Sequence, residues 1–268
     1  MTVLIKGAGD MASGIAVRLF RSGMRVIMTE LPHPTAIRRS VAFSEAVMNK
    51  SQTVEGITGR LAENAEEALL MLKEGVIPVM VDPECKSLPL ILPDVLVDAI
   101  LAKRNLGTGI TDAGTVIGIG PGFNAGLDCH AVVETMRGHT LGRVLYEGTA
   151  LPDTKIPGLI GGFSGERIIR APADGSFKGL HRIGDMVGEG EIVGTVDGIP
   201  VKTSIAGVLR GLIADGVFVT KGMKSGDVDP RGRAEYCGMV SDKALSVAGG
   251  VLEAILCLNR QIRLQTLG

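Results

Sequence analysis

The chain has 268 residues, long for one small domain and suited to two compact ones. Its 28 Lys and Arg against 29 Asp and Glu leave a formal net charge of −1, without the cation excess that a nucleic-acid binder uses to neutralise phosphates. Hydrophobic residues make up 45% and the mean hydropathy is +0.30, which excludes wholesale disorder; 3% aromatics and no Trp leave no stacking platform for single strands. The 38 glycines follow no collagen period, so they serve turns and close backbone approaches.

The first half alternates strand and helix patterns. An apolar run over 2–6 stops at a glycine turn. Residues 10–21 carry Met11, Ile15 and Leu19 at helical spacing, with Gly23 closing the helix. A second strand covers 24–29. Pro32 and Pro34 punctuate, and Thr35 can cap a helix running to about residue 48. A helix is predicted over 61–73, with Glu63, Glu66, Glu67 and Glu74 on its solvated face, followed by strands at 76–81, 95–100 and 115–119. This alternation predicts an α/β fold: a Rossmann-like, doubly wound parallel sheet with helices on both faces.

The pattern changes near Arg167. From 170 to 229, short strands are divided by Ala173-Asp174-Gly175, Gly188-Glu189-Gly190, Asp197-Gly198, Asp215-Gly216 and Lys221-Gly222. A pseudo-repeat of small-residue turn, strand and glycine turn predicts a second, smaller all-β barrel-sandwich of the lipoyl or biotinyl kind. The tip of such a module would be Asp197-Gly198-Ile199-Pro200, which has no lysine; Lys202 lies two residues past it, so a swinging-arm carrier is disfavoured. The expected organisation is an α/β domain over 1–165, the β module over 166–240, and a C-terminal helix over 241–268 packing back.

Cys85, Cys129, Cys237 and Cys257 form no C-x-x-C pair and match no zinc spacing. Free thiols, no basic leader at the start and no apolar run of the ~18 residues a membrane span needs together lead to the expectation of a soluble cytoplasmic protein.

Gly7-Ala8-Gly9-Asp10-Met11-Ala12 matches G-x-G-x-x-A between a strand and a helix, the context that motif requires. Gly7 permits the tight turn, Gly9 lets backbone approach a pyrophosphate, and Ala12 lets helix meet strand. Glu30 falls near the offset of about 20 residues where a carboxylate holds ribose hydroxyls. Arg38 and Arg39 follow within reach of a phosphate. Asp10 weighs the other way, because a carboxylate inside the helix start repels an anion, and a glycine turn that only packs stays open as the alternative. NAD, NADP, FAD and a nucleotide-containing pterin are not distinguished.

A second glycine-rich stretch, Gly118 to Gly126, also leaves a strand and runs into Asp128, Cys129, His130, Glu134, Arg137 and His139, so the two glycine turns are expected to converge at the carboxyl edge of the sheet and line one crevice for an anionic ligand. Gly120, Gly122 and Asn124 are candidate ligand-binding positions, Arg137 a candidate anion clamp, and Cys129 and His139 candidate catalytic groups. The plain reading of Cys129 is a small buried hydrophobe. Asp128, His130 and His139 match no metal signature, and no metal site is assigned. Two stretches stay open between solvated surface and crevice lining: the basic pair Lys103-Arg104, and the charged run 224–231, a solvated loop or one folded back to the crevice.

The words Ile5-Lys6-Gly7-Ala8-Gly9-Asp10, Pro34-Thr35-Ala36-Ile37-Arg38-Arg39-Ser40-Val41, Lys103-Arg104-Asn105-Leu106-Gly107-Thr108, Gly120-Pro121-Gly122-Phe123, Glu134-Thr135-Met136-Arg137-Gly138-His139 and Ala171-Pro172-Ala173-Asp174-Gly175 occur in order along the chain. Their order and spacing resemble the YqeB family, bacterial proteins linked to the selenium-dependent molybdenum hydroxylase system. The resemblance covers essentially the whole chain, through Gly226-Asp227-Val228-Asp229-Pro230-Arg231. It implies a cytosolic accessory or maturation factor for hydroxylases such as xanthine dehydrogenase, with a molybdenum hydroxylase or its cofactor machinery as partner. It supplies a pathway and no reaction. The expected ligand is NAD(P) or a molybdenum cofactor dinucleotide. The alternatives are a non-catalytic scaffold docking on the hydroxylase and an NAD(P)-dependent oxidoreductase, the latter lacking an evident Tyr-Lys or His-Asp pair. A homodimer is the default assembly.

Overall fold

The computed structural model describes residues 1–266, with side chains through Asn259. Strand β1 (Thr2–Lys6) is apolar at its centre and buried throughout, as a strand covered on both faces must be. The chain turns at Gly7 into α1 (Asp10–Arg21), which buries Met11, Ala12, Ile15, Ala16 and Leu19, and returns as β2 (Arg25–Glu30), parallel to β1.

The region after β2 departs from the sequence reading. The helix expected over 35–48 is instead an irregular strap with a 3-10 turn at Arg39–Val41 and a five-residue helix α2 (Glu45–Asn49). Tertiary anchors hold the strap: the Ser44 N–H donates to the Ala8 carbonyl at 2.9 Å, and the Phe43 N–H to Ser13 Oγ at 2.8 Å. Strands β3 (Ser51–Val54) and β4 (Ile57–Ala62) then form a hairpin. Its two turn residues, Glu55 (φ +46°) and Gly56 (φ +81°), are both left-handed, the geometry that matches strand twist in a two-residue hairpin. Glu55 is kept there by Arg21, which bonds its carboxylate and its carbonyl, and by the Val240 N–H. Leu61 and Ala62, expected to begin a helix, end β4; α3 (Ala65–Met71) starts after Asn64, whose side chain caps the Glu67 N–H at 2.9 Å.

Next come β5 (Ile77–Val81), α4 (Leu88–Ile91), β6 (Val95–Asp98), β7 (Thr115–Ile119), β8 (Asn124–Ala125), β9 (Ala131–Val133), β10 (Val144–Leu145) and β11 (Gly148–Thr149). The large sheet has nine strands in the order β10-β9-β7-β6-β1-β2-β5-β4-β3. Pairings from β9 to β4 are parallel, while β3 and β10 close the two edges antiparallel. β8 and β11 form a separate two-stranded pair.

The second module contains β12 (Ile168–Arg170), β13 (Gly175–Gly179), β14 (Met186–Val187), β15 (Ile192–Val196), β16 (Ile199–Lys202), β17 (Gly207–Leu212), β18 (Phe218–Val219) and β19 (Lys224–Asp229). They make two antiparallel sheets, β12-β19-β17-β14 and β16-β15-β13-β18, around Phe177, Val193, Val196, Leu209 and Val228. The 25-residue helix α5 (Asp242–Thr266) follows. It returns to the large sheet and buries Ala244, Val247, Ala248, Val251 and Ile255 beside α1.

Two parts of the expected fold are corrected by this topology. The doubly wound parallel sheet is a mixed one. Hairpins supply its antiparallel edges, and no helix connects β6 to β7 or β7 to β9, so the late α5 covers that part of one face. The lipoyl-like double hairpin is replaced by two sheets whose strands interleave. Only β15 and β16 join as a hairpin, at Asp197-Gly198, while β13 pairs with β18 and β12 with β19. The turn signals marked strand ends but carried no information about which strands pair.

Candidate functional site

Chain order reverses on either side of β1, because β2 and β5 lie to one side while β6 and β7 lie to the other. At such a switch point the loops leaving adjacent strands diverge and open a crevice at the carboxyl edge. A cavity of about 360 Å³ occupies it, lined by Gly7, Gly9, Asp10, Met11 and Ala12, by Thr29, Glu30 and Leu31, by Thr35 and Ala36, and by Pro83, Ala99, Ile100, Leu101 and Leu106. That volume lies in the range of small-ligand sites.

The first glycine turn forms the polar end of the cavity. Gly7 (φ +92°) approaches the Ala99 carbonyl, where a Cβ would lie at 3.1 Å. Gly9 is the N-cap of α1, with no side chain to bond the first-turn amides, and a Cβ built there would meet nothing within 4 Å. The helix start therefore faces open space with its donors and its partial positive charge. Glu30 accepts the Ala8 N–H at 2.9 Å and the Leu31 N–H at 2.8 Å. Burial raises its pKa above the usual carboxylate range, against the pull of those two bonds. Asp10 has Arg38 beside it, Nη1 to Oδ2 at 3.6 Å. Leu31, Pro83, Ile100 and Leu101 give the other end apolar walls suited to a flat base.

The second glycine stretch is a packed corner. A Cβ on Gly120 would lie 2.7 Å from Thr135 Oγ1, and one on Gly122 (φ +113°) only 2.6 Å from the Arg104 backbone nitrogen. Asn124 closes a turn: its N–H donates to Asp128 at 2.8 Å and its carbonyl accepts from Leu127 and Asp128. Cys129 is fully buried, and burial pushes its thiol up to about 11, so it is protonated and inert at neutral pH. The His130 ring accepts the Val116 N–H at Nδ1, 3.0 Å, and burial lowers its pKa. Arg137 makes a bidentate pair with Asp242 at 2.8 and 3.0 Å. His139 is exposed, away from the cavity lining. Lys103 pairs with Asp153 at the surface.

The two glycine turns thus do not converge. The loop after β6 stands between them: Ala99 abuts Gly7, and Lys103–Arg104 abut Gly122. This loop is pinned by a buried network that the sequence reading did not single out. Lys6 Nζ donates to Thr108 Oγ1 at 2.7 Å, and Thr108 donates to Asp98 at 2.6 Å, with Lys6 and Asp98 3.6 Å apart. Lys6 and Asp98 end adjacent parallel strands, a register no local pattern reveals. The charged run 224–231 holds the strand β19, with Asp227 and Asp229 buried and paired with Arg167, Arg210 and Arg231. Among the described residues no group of three His, Cys, Asp or Glu side chains is placed to hold a metal ion, and no helix is long and apolar enough to cross a membrane.

The chain is similar to an uncharacterized protein YqeB of Escherichia coli (strain K12), 49% identical over 259 residues, covering 97% of this chain and 48% of that protein. It therefore spans about half the length of the curated relative it matches. No family model matches the chain. Among solved structures it overlaps an aspartoacylase family protein from Mesorhizobium loti at 12% identity and a TM-score of 0.26, covering 85% of this chain and 83% of that one. A succinylglutamate desuccinylase/aspartoacylase from Rhodobacter sphaeroides overlaps at 16% identity and 0.25, covering 85% and 84%. Scores this low establish no common architecture.

Proposed function

The chain belongs to the YqeB family, and from that premise we propose that it acts as a cytoplasmic accessory or maturation factor for selenium-dependent molybdenum hydroxylases of the xanthine dehydrogenase type, binding a nucleotide-containing anion in the crevice between β1 and β6. The pathway rests on the family resemblance, and the ligand class rests on the crevice. One observation carries the ligand: the N-terminus of α1 opens, through the bare Cα of Gly9, onto a cavity with a carboxyl group at its edge and apolar walls beyond it. A phosphate fits the helix start, ribose hydroxyls fit Glu30, and a base fits Leu31, Pro83 and Ile100. The molybdenum dinucleotide cofactor, as cargo, and NAD(P) share this chemistry.

A scaffold role draws on a different observation. The segment before the β module exposes Leu151, Ile156, Leu159 and Phe163 within a short stretch, surface of the kind partners cover. The oxidoreductase reading gains no support, because the Tyr236 ring is sandwiched against Arg231 and Arg233 and Tyr146 lies outside the cavity lining.

Calorimetric titration with NAD(P), FAD, CDP and a molybdopterin dinucleotide tests the proposal. Micromolar binding of at least one, lost in Gly9→Val, is expected. No binding across the panel would remove the ligand-binding part and leave the scaffold reading.

A further inference from the structure

Two carboxylates and no cation border the crevice beside Gly9. Among the described residues, Asp10 and Glu30 are the charged side chains of its lining, and no Lys, Arg or His joins them. The two arginines that follow β2 are engaged elsewhere. Arg38, 7% exposed, donates through Nη2 to the carbonyls of Tyr236 and Met239 at 3.2 and 2.9 Å, and its Nη1 faces Asp10 at 3.6 Å. Arg39 donates from Nε to the Leu212 carbonyl at 2.7 Å and from Nη1 to Glu45 at 3.3 Å. It lines a different cavity, with Ser40, Gln52 and His181. Lys6, which ends β1, is buried against Thr108 and Asp98. On the flanking loops Lys86 pairs with Glu84 at 2.6 Å and Lys103 with Asp153 at 2.5 Å. His33 and Arg104 are exposed and lie outside the lining. The phosphate reach that the sequence suggests for Arg38 and Arg39 is therefore spent on other partners.

Glu30 ends β2 at the carboxyl edge of the sheet. Its Oε2 accepts the Ala8 N–H and its Oε1 the Leu31 N–H, so both oxygens are oriented by backbone. An ionised carboxylate offers about four lone-pair sites. With one on each oxygen occupied, one on each remains for a pair of adjacent donors. The 2′ and 3′ hydroxyls of a ribose are such a pair. A phosphate on the 2′ position has acceptor oxygens in place of that donor and carries roughly two negative charges. It would leave Glu30 without its bond and set like charge against it, with no cation in the lining to compensate. A site that bonds a hydroxyl rejects a ligand lacking it far more strongly than a site that selects by size alone, and like charge adds to the rejection.

We propose that the crevice selects a dinucleotide whose ribose is unsubstituted and excludes the 2′-phosphorylated counterpart, with Glu30 as the specificity-determining residue. This rests on the nucleotide reading of the crevice and narrows it: NAD-type ligands are admitted and NADP-type ligands are not.

The test is calorimetry on the full chain with NAD and with NADP at equal ionic strength. NAD is expected to bind at least about tenfold more tightly. Two variants locate the cause. Glu30→Gln should weaken NAD binding and bring the two affinities within about threefold of each other. Leu31→Arg places a cation beside Glu30 at an exposed position and keeps the backbone N–H that bonds it; NADP affinity should rise at least about tenfold. Glu30→Gln also removes a backbone acceptor, so Leu31→Arg carries the test if that variant loses its fold. NADP bound as tightly as NAD by the wild type, or a preference that neither variant changes, would overturn the assignment and leave nucleotide binding at the crevice intact. A wild type that binds neither probe would overturn it as well. The nucleotide reading would then stand only on binding of FAD, CDP or the molybdopterin dinucleotide, and would fall with it if none bound.

Discussion

The two glycine turns look alike on paper and do opposite things in space. Both leave a parallel strand at the same edge of the sheet. At Gly9 the absent side chain leaves room in front of a helix start, while at Gly122 it admits the backbone of Lys103–Arg104 from the same chain. Glycine announces that something approaches closely. Whether that is a ligand or another loop is decided by what the fold places opposite, and here the loop after β6 serves the second turn and walls off the first.

The largest effect that could break this contrast is Gly122→Ala. A methyl group 2.6 Å from a backbone nitrogen, at φ +113°, is expected to cost about 3 kcal/mol. Scanning calorimetry should show the midpoint fall by roughly 6–12 °C. A fall within error would mean that the corner is loose. Gly9→Val should shift stability by only about 1 kcal/mol or less, yet abolish nucleotide binding, since the space it fills is the ligand's. A large stability loss there would make the first turn a packing device as well.

Thiol chemistry sharpens the contrast next. Cys129, held as a protonated buried thiol, should resist iodoacetamide under native conditions, while Cys257, exposed on α5, is labelled first. Peptide mapping that found Cys129 modified as fast as Cys257 would reopen it as a nucleophile.

The smallest effect concerns Arg137. Hydrogen-bonding to its guanidinium holds the Asp242 carboxyl down to about 2 from 3.8. A carboxylate depressed in the folded state contributes stability above its unfolded value and loses it as pH falls through the folded one, so the window is pH 3.8 down to about 2. Asp242 is largely exposed, so the pair is worth about 0.5 kcal/mol. Arg137→Ala should lower the melting temperature slightly at pH 7, progressively less below pH 3.8 and not at all well below pH 2, and leave ligand affinity unchanged. A large affinity loss would restore Arg137 as an anion clamp.

The first glycine motif was legible because its meaning is local: strand, turn and helix lie next to one another in the chain. The same held for α1 and for α5, whose apolar spacing gave both the helix and its packing face. The β3–β4 hairpin was not legible, since Glu55 is a poor left-handed residue and is held there by Arg21 and Val240, far away in sequence. The run 224–231 read as a loop because Lys-Ser-Gly-Asp-Val-Asp has no apolar alternation. Its buried carboxylates are balanced by Arg167 and Arg210, which only the folded sheet brings near. For the same reason Lys6, Asp98 and Thr108 were invisible as a network.

The most direct measurement is crystallographic: soak crystals with the tightest-binding nucleotide and locate its phosphates. Phosphate density is predicted against the first turn of α1, beside Gly9, with the base toward Pro83 and Ile100. Phosphate density in the Gly120–Gly126 corner instead, with the cavity beside Gly9 empty, would contradict it.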